Sequence, residues 1–268
     1  MNAIDLKERL QNGGTVFGCI LGAVGNTRWK NAFAGSTMDY VVIDTEHGSR
    51  DRKEIQELCQ MFREINIAPI VRVPAPMSHW VAMALDAGAA GILVPYCETV
   101  EEVRETVGTA KWHPLKGEYL RRAMTEGVLP SERTKEYLEN RRRETIVIIG
   151  IESEPGQRNL DKILDVGSID AIFIGPNDMT TSLGIPDEMS NPKYQGVISD
   201  IVTRSEARNV PVMVFSTSMD EAVAAINLGS RFIFHTGEAR FMQMAMQQQF
   251  GELRKVASAR GSIEGQPR

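Results

Sequence analysis

Eight apolar runs of strand length recur along the chain: Thr15–Leu21, Tyr40–Asp44, Pro69–Val73, Gly91–Pro95, Ile146–Ile151, Ala171–Ile174, Pro211–Phe215 and Phe232–His235. Most are unbroken rather than alternating, and rich in Val and Ile, as strands buried on both faces are. The segments between them carry helical period. Ile55, Leu58, Cys59, Phe62 and Ile65 recur at steps of three and four, one apolar stripe. Thr99 to Glu102 and Ser218 to Glu221 read as capping boxes, in which a hydroxyl and a carboxylate each take an orphan backbone N–H. Gly88 and Gly229 stand where helices should stop, positions that suit a left-handed residue. Strand and helix thus alternate eight times. That predicts an α/β protein, a (β/α)8 TIM barrel, as a single domain over residues 1–258; such barrels routinely reach ~250 residues. A doubly wound open sheet stays open as the second architecture, because strand count does not prove closure.

An extra helix is expected before the barrel, from Ile4 to Leu10. The stretch from His113 to Glu144 is too long for one connection. It is expected to form a lid, a subunit contact or a plain solvated helical excursion. Residues 259–268 are expected to be a disordered tail. Hydrophobic residues make up 42% and charged residues 24%, an ordinary globular balance. The net charge of −5 leaves no basic excess for nucleic acid. The Arg141-Arg142-Arg143 run reads as a solvated helix face. Cys19, Cys59 and Cys97 are odd in number and lack CxxC spacing, so they read as reduced thiols rather than a disulfide framework or a zinc site. No basic-then-apolar leader opens the sequence, and no apolar run approaches the ~20 residues of a membrane helix. A cytoplasmic protein without a membrane partner is the expectation.

Barrel chemistry sits at the C-terminal ends of the strands. The second run ends in Asp44-Thr45-Glu46-His47 and the third carries Arg72. The fifth ends in Glu152, and the sixth runs into Gly175-Pro176-Asn177-Asp178. The seventh is followed by Ser216, and the eighth ends in His235-Thr236. Glu152 and Asp178 stand at facing positions of adjacent strands. Two carboxylates, waters and a chelating substrate are how a magnesium-type ion is held, whereas zinc favours several His or Cys ligands. Alternatively each carboxylate caps the helix that follows it. His47 is placed to act as a general base, with Asp44 and Glu46 near enough to orient it, or else it is a hydrogen-bonded structural histidine. Arg72 lies inside an apolar run and must be paired once buried, by a protein carboxylate or by an anionic substrate.

Asp44-Thr45-Glu46-His47, Val71-Arg72-Val73-Pro74, Asp86-Ala87-Gly88-Ala89, Leu93-Val94-Pro95, Ile151-Glu152-Ser153 and Phe173-Ile174-Gly175-Pro176-Asn177-Asp178 occur in this order at suitable spacings. Together they resemble the HpcH/HpaI aldolase family, the metal-dependent (class II) pyruvate aldolases, over residues 10–258. The resemblance implies a (β/α)8 barrel enzyme, a carbon–carbon lyase. It would form or cleave a 4-hydroxy-2-oxo acid through a pyruvate enolate, from a small 2-oxo acid and an aldehyde. It implies Mg2+, Mn2+ or Co2+ on Glu152 and Asp178, and Arg72 on the keto and enolate oxygens. His47 would handle protons with Asp44 supporting it, and Gly175, Pro176, Asn177 and Asp178 would line the substrate. Asp86 would reach a histidine of an adjacent subunit, within a homohexamer (a trimer of dimers) that exchanges its last helix. The Met-rich final segment, Met242, Met244, Met246, Phe250 and Leu253, fits that exchange and fits packing within one subunit as well. None of the eight runs carries a lysine, consistent with a metal in place of a Schiff base.

Three positions depart from the family pattern. Gly150 stands where Gln is usual, Lys116 to Arg122 replaces an Arg-Gly-rich segment, and His235-Thr236-Gly237-Glu238 replaces Val-Gly-Ser-Asp. The pyruvate half-site is retained and the acceptor side altered. An acyl-CoA lyase of the citrate-lyase type, with Arg121 to Arg143 on the CoA phosphates, and an oxo-acid decarboxylase are the alternative enzymes. A catalytically idle binding relative is the alternative of another class.

Overall fold

Eight parallel strands, β1 (Val16–Leu21), β2 (Tyr40–Asp44), β3 (Ala68–Arg72), β4 (Gly91–Val94), β5 (Ile146–Gly150), β6 (Ala171–Ile174), β7 (Val212–Ser216) and β8 (Phe232–Gly237), each pair with the next. The structure, a computed structural model, describes residues 1–264. Val16 and Phe17 of β1 lie in register with Phe232 and Ile233 of β8, so the sheet closes into a barrel and the open sheet is excluded.

The helices are α1 (Ala3–Gln11), α2 (Lys30–Phe33, after a 3-10 turn Thr27–Trp29), α3 (Arg52–Glu64), α4 (Ser78–Asp86), α5 (Val100–Lys111), α6 (Gly117–Glu126), α7 (Glu132–Arg143), α8 (Glu154–Leu164), α9 (Pro176–Ser182), α10 (Pro192–Glu206), α11 (Met219–Asn227) and α12 (Glu238–Glu264). Local signals set their ends. Thr99 and Glu102 make both bonds of a capping box on α5, and Ser218 caps α11. Gly88 (φ 94°) and Gly229 (φ 97°) take the left-handed turns that follow α4 and α11.

Side chains alternate between two cores. Tyr40, Val42, Ala68, Ile70, Ile146 and Ile148 fill the barrel interior together with Phe173, Phe232 and Phe234. Val41, Ile43, Val71, Val147 and Ile149 face the helices, where the α3 stripe of Ile55, Leu58, Cys59 and Phe62 meets them. Burying each such side chain contributes roughly 1.5–3 kcal/mol. The interior parity continues upward: Asp44 is two residues past Val42, Arg72 two past Ile70, and Glu152 four past Ile148. The period of two that buries the core thus aims these charges into the mouth. At the other end, Leu6 and Leu10 of α1 pack into the interior core and plug the floor.

Three expectations are corrected. Residues 113–144 form α6 and α7 between the end of α5 and the start of β5, at the floor end of the barrel. There the Lys7 ammonium of α1 donates to the Arg142 carbonyl at 3.3 Å. They are not a lid over their own mouth, because a segment preceding a strand lies at that strand's N-terminal end. The final helix runs on to Glu264, past the point where a disordered tail was expected to start; residues 265–268 lie outside those described. Beyond its first turn, α12 stands away from its own barrel. Met242, Met246, Phe250 and Leu253 are exposed, so they do not serve as packing within one subunit. Among the described residues, no helix is long and apolar enough to cross a membrane.

Candidate active site

The mouth is organised around Arg72. Its Nε and Nη2 donate to Asp44 Oδ1 and Oδ2, both at 2.8 Å, and its Nη1 stands 3.0 Å from Glu46 Oε2. Both strand ends are buried, so the alternatives left open by the sequence resolve in favour of protein carboxylates. Burial pushes the Asp44 carboxyl up, but the Arg72 guanidinium and the N–H groups of Glu46 and His47 outweigh it and hold the carboxyl below its ordinary range. Asp44 accepts from the backbone N–H of Glu46 at 3.1 Å and of His47 at 3.5 Å. It therefore shapes the turn that carries His47. Its contact with His47 is through that backbone N–H and not through the imidazole. The imidazole Nε2 lies 3.6 Å from Glu46 Oε2, and the side chain is 63% exposed. Glu46 links Arg72 to His47.

Glu152, 1% exposed, enters from the end of β5. Its Oε2 accepts the backbone N–H of Tyr96 at 3.0 Å, while its buried Oε1 has no hydrogen-bond partner. A Cβ on Gly175 would lie 2.6 Å from that Oε1 and 2.9 Å from the carboxyl carbon, so the glycine leaves the space the carboxylate occupies. Burial, then the Glu46 and Asp178 carboxylates, push the Glu152 pKa up to about 8. Asp178 sits half-buried in the first turn of α9, behind Pro176 at its start. Burial, then the Asp44 and Asp178 carboxylates, raise the Glu46 carboxyl against the opposing Arg72 guanidinium.

A buried carboxylate oxygen without a donor, beside a second carboxylate, is an arrangement a cation satisfies. Among the described residues, no three His, Cys, Asp or Glu side chains converge as a complete metal shell. The donor set is two carboxylates, which suits a hard ion that keeps waters and takes a chelating substrate. A cavity of about 550 Å3 runs between α10 and α11 and meets the rim at Pro176 and Asn177, away from Asp44, Arg72 and Glu152.

The structure thus brings together Asp44, Arg72, Glu152, Asp178 and, through Glu46, His47. Gly175 and Pro176 frame Glu152 and Asp178. Asn177 is exposed and donates to Asp187 Oδ1 at 3.0 Å. Asp86 is not brought to the mouth. It ends α4 at the floor, pairs with His113 Nε2 of its own chain at 3.2 Å and is 59% exposed. His235, a weaker candidate, faces the helix layer like Ile233 before it, with Ser216 Oγ 3.0 Å from its Nδ1.

Tyr96 was missed, although it lies two residues past the end of β4, where the same strand-end rule applies. Its backbone is left-handed at φ 50°. Also missed were two buried charges that fix the loop after β1. Arg50 Nη2 donates to the Leu21 and Gly22 carbonyls at 3.0 Å each. The Glu238 carboxylate accepts the N–H groups of Gly22, Ala23 and Val24 at 3.1, 2.5 and 2.8 Å.

The family description HpcH/HpaI aldolase/citrate lyase matches residues 25–237. A hydroxypyruvate/pyruvate aldolase of Roseobacter denitrificans is 28% identical over 231 residues, covering 85% of this chain and 88% of its own. A 2-keto-3-deoxy-L-rhamnonate aldolase of Klebsiella pneumoniae is 29% identical over 239 residues, with 87% and 88% covered. The crystal structure of an HpcH/HpaI aldolase from Desulfitobacterium hafniense superposes with a TM-score of 0.77 at 25% identity, covering 98% of this chain and 97% of that one.

Proposed function

Because the chain belongs to the HpcH/HpaI aldolase/citrate lyase family, we propose that its barrel mouth binds pyruvate and that Glu152 and Asp178 hold the divalent cation the chemistry needs. The protein is an aldolase, a carbon–carbon lyase that forms or cleaves a 4-hydroxy-2-oxo acid through a pyruvate enolate. The observation that carries the site assignment is the buried, unpartnered Oε1 of Glu152 beside Asp178.

A bound Mg2+, Mn2+ or Co2+ supplies a Lewis acid for the 2-oxo group. Glu152 and Asp178 hold it. Arg72, kept rigid by Asp44, places its positive charge where the enolate oxygen becomes negative, and its preorganisation is what makes that charge effective. His47, exposed beside Glu46, takes the proton from the pyruvate methyl carbon and returns it. Gly175 and Pro176 leave the substrate side of Glu152 open, and Asn177 lines the rim. The exposed apolar stripe of α12 is the surface through which the chain forms a homo-oligomer. The 59% exposure of Asp86 suits a contact with a neighbouring subunit.

The acyl-CoA lyase reading loses its support, because its phosphate-binding candidates lie in α6 and α7 at the floor end.

The test is hydrogen–deuterium exchange of the pyruvate methyl group, followed by NMR, which needs no knowledge of the aldehyde. Exchange with Mg2+, Mn2+ or Co2+ is expected, lost in EDTA and reduced about 100-fold or more in His47→Ala and Arg72→Ala. No exchange in metal-loaded protein would overturn the reading.

A further inference from the structure

Resting on the assignment of Glu152 as a cation ligand, we infer that the peptide joining Pro95 to Tyr96 is a positioning device for that carboxylate. Its N–H occupies Oε2 and leaves Oε1 for the cation. The left-handed turn at Tyr96 and the glycine at 150 make the device possible.

The pairing of β4 with β5 sets the geometry. The register runs from Gly91 opposite Ile146 to Val94 opposite Ile149. The next residue, Pro95, has no N–H to give to the ladder. The chain then turns at Tyr96, whose φ of 50° is uncommon for an aromatic residue. Such strain persists only where the surroundings impose it. In this turn two successive N–H groups point at β5 and the loop after it. The Tyr96 N–H donates to Glu152 Oε2 at 3.0 Å, and the Cys97 N–H donates to the Gly150 carbonyl at 2.9 Å.

Neighbouring contacts hold the turn in place. Ser153 Oγ donates to Glu98 Oε1 at 2.6 Å, and Asn159 Nδ2 donates to the Glu98 carbonyl at 2.8 Å. Residues 97 and 98 are thus fastened to residues 150, 153 and 159, on both sides of Glu152 in the chain. Gly150 lets the two segments come this close. A Cβ there would lie 3.0 Å from Pro95 Cα, 3.0 Å from the Val94 carbonyl oxygen and 3.1 Å from the Tyr96 nitrogen. All three are backbone atoms, which cannot swing aside as the end of a side chain can. A side chain at 150 therefore pushes the Pro95–Tyr96 peptide away from Glu152. The residue that departs from the family pattern is the one against which this peptide rests.

The buried Glu152 carboxylate has two oxygens to satisfy. With Oε2 bonded and Oε1 bare, it offers one oxygen in one fixed direction. Without the Tyr96 N–H both oxygens are unmatched and nothing fixes their orientation. Hydrogen bonds to a ligating carboxylate matter to metal affinity in this way. The phenol has no part in it. Position 96 must supply only an N–H and a backbone that tolerates the left-handed conformation.

Backbone and side chain are therefore separable by substitution at one position. Mn2+ affinity is read on the substrate-free full chain by electron paramagnetic resonance of free Mn2+, with circular dichroism to confirm folding. Tyr96→Gly and Tyr96→Asn, residue types that take positive φ readily, are expected to bind within about twofold of wild type. Tyr96→Val, β-branched and poorly suited to that conformation, is expected to bind about tenfold more weakly, and Gly150→Ala likewise. Tyr96 is 42% exposed, so its variants keep the test alive if Gly150→Ala does not fold. Valine binding as tightly as glycine and asparagine would overturn the inference. So would equal weakening in all three, which would put the effect in the phenol ring. Glu152→Ala tests the assignment beneath and is expected to lose Mn2+ binding. Unchanged affinity there would remove Glu152 from the site, and this inference with it. Loss there without the ordering among the Tyr96 variants would sink this inference alone.

Discussion

The Asp44 carboxylate grips the Arg72 guanidinium with both oxygens, at 2.8 Å each, across adjacent residues at the ends of β2 and β3. Parallel pairing puts the two residues in register, and the interior parity of both strands turns them to the same side. Arg72 is therefore presented as a fixed charge rather than a mobile one.

Neutralising Asp44 leaves the buried Arg72 with Glu46 as its remaining ion-pair partner. Because Glu46 still faces Arg72, Asp44→Asn is expected to cost less than the roughly 3–5 kcal/mol of a fully uncompensated buried charge, about 1–3 kcal/mol in urea denaturation. The Asp44 pKa is lowered in the fold, so its ionisation stabilises the native state above the ordinary carboxyl range. That contribution is lost as pH falls through the lowered value. The acid limb of the wild-type stability curve should therefore be shallower in Asp44→Asn. An unchanged urea midpoint would contradict the pairing.

With its pKa near 8, Glu152 is mostly protonated at neutral pH in the cation-free protein. Between the ordinary glutamate range and pH 8 the folded state binds more protons than the unfolded state, so this group makes stability fall as pH rises through that window. Cation binding must expel the proton. Mn2+ affinity is expected to rise about tenfold per pH unit up to about pH 8 and then level off, with about one proton released. Titration calorimetry in two buffers of different ionisation enthalpy reads this directly, and pH-independent binding would remove Glu152 from the site.

Gly175→Ala places a methyl 2.6 Å from Glu152 Oε1. The buried carboxylate has to turn away. Mn2+ affinity is expected to fall about 10–100-fold, as for other changes that misplace a ligand. Electron paramagnetic resonance of free Mn2+ reports it, and wild-type affinity would show that Glu152 has another place to go.

An apolar stripe at helical spacing, Met242, Met246, Phe250 and Leu253, lies exposed on α12. Exposed contiguous apolar surface marks an interface. Light scattering is expected to give a homo-oligomer for the wild type and a smaller species for the Phe250→Glu, Leu253→Glu variant. A monomeric wild type at micromolar concentration would refute the interface.

Much of this protein was legible in one dimension because the relevant physics is local. Unbroken Val/Ile runs announced strands buried on both faces, and glycines and capping pairs marked helix ends. The parity of each strand carried Asp44, Arg72 and Glu152 to one rim. Closure, partners and direction were decided by tertiary structure. Whether β1 meets β8 depends on the stagger of the whole sheet, which no single run encodes. That Asp44 holds Arg72 rather than the His47 ring follows from the register of two strands 28 positions apart. Asp86 follows a helix to the floor, where it meets His113, because a β/α unit reverses direction along each helix. Tyr96 was hidden because its part in the site is played by a backbone N–H, which every residue but proline has. Only the left-handed turn beside Gly150 points that N–H at Glu152. Sequence determines which side chains reach the mouth; the packing of distant segments decides which of them face one another there, since pairing energies act through space and periodicity acts along the chain.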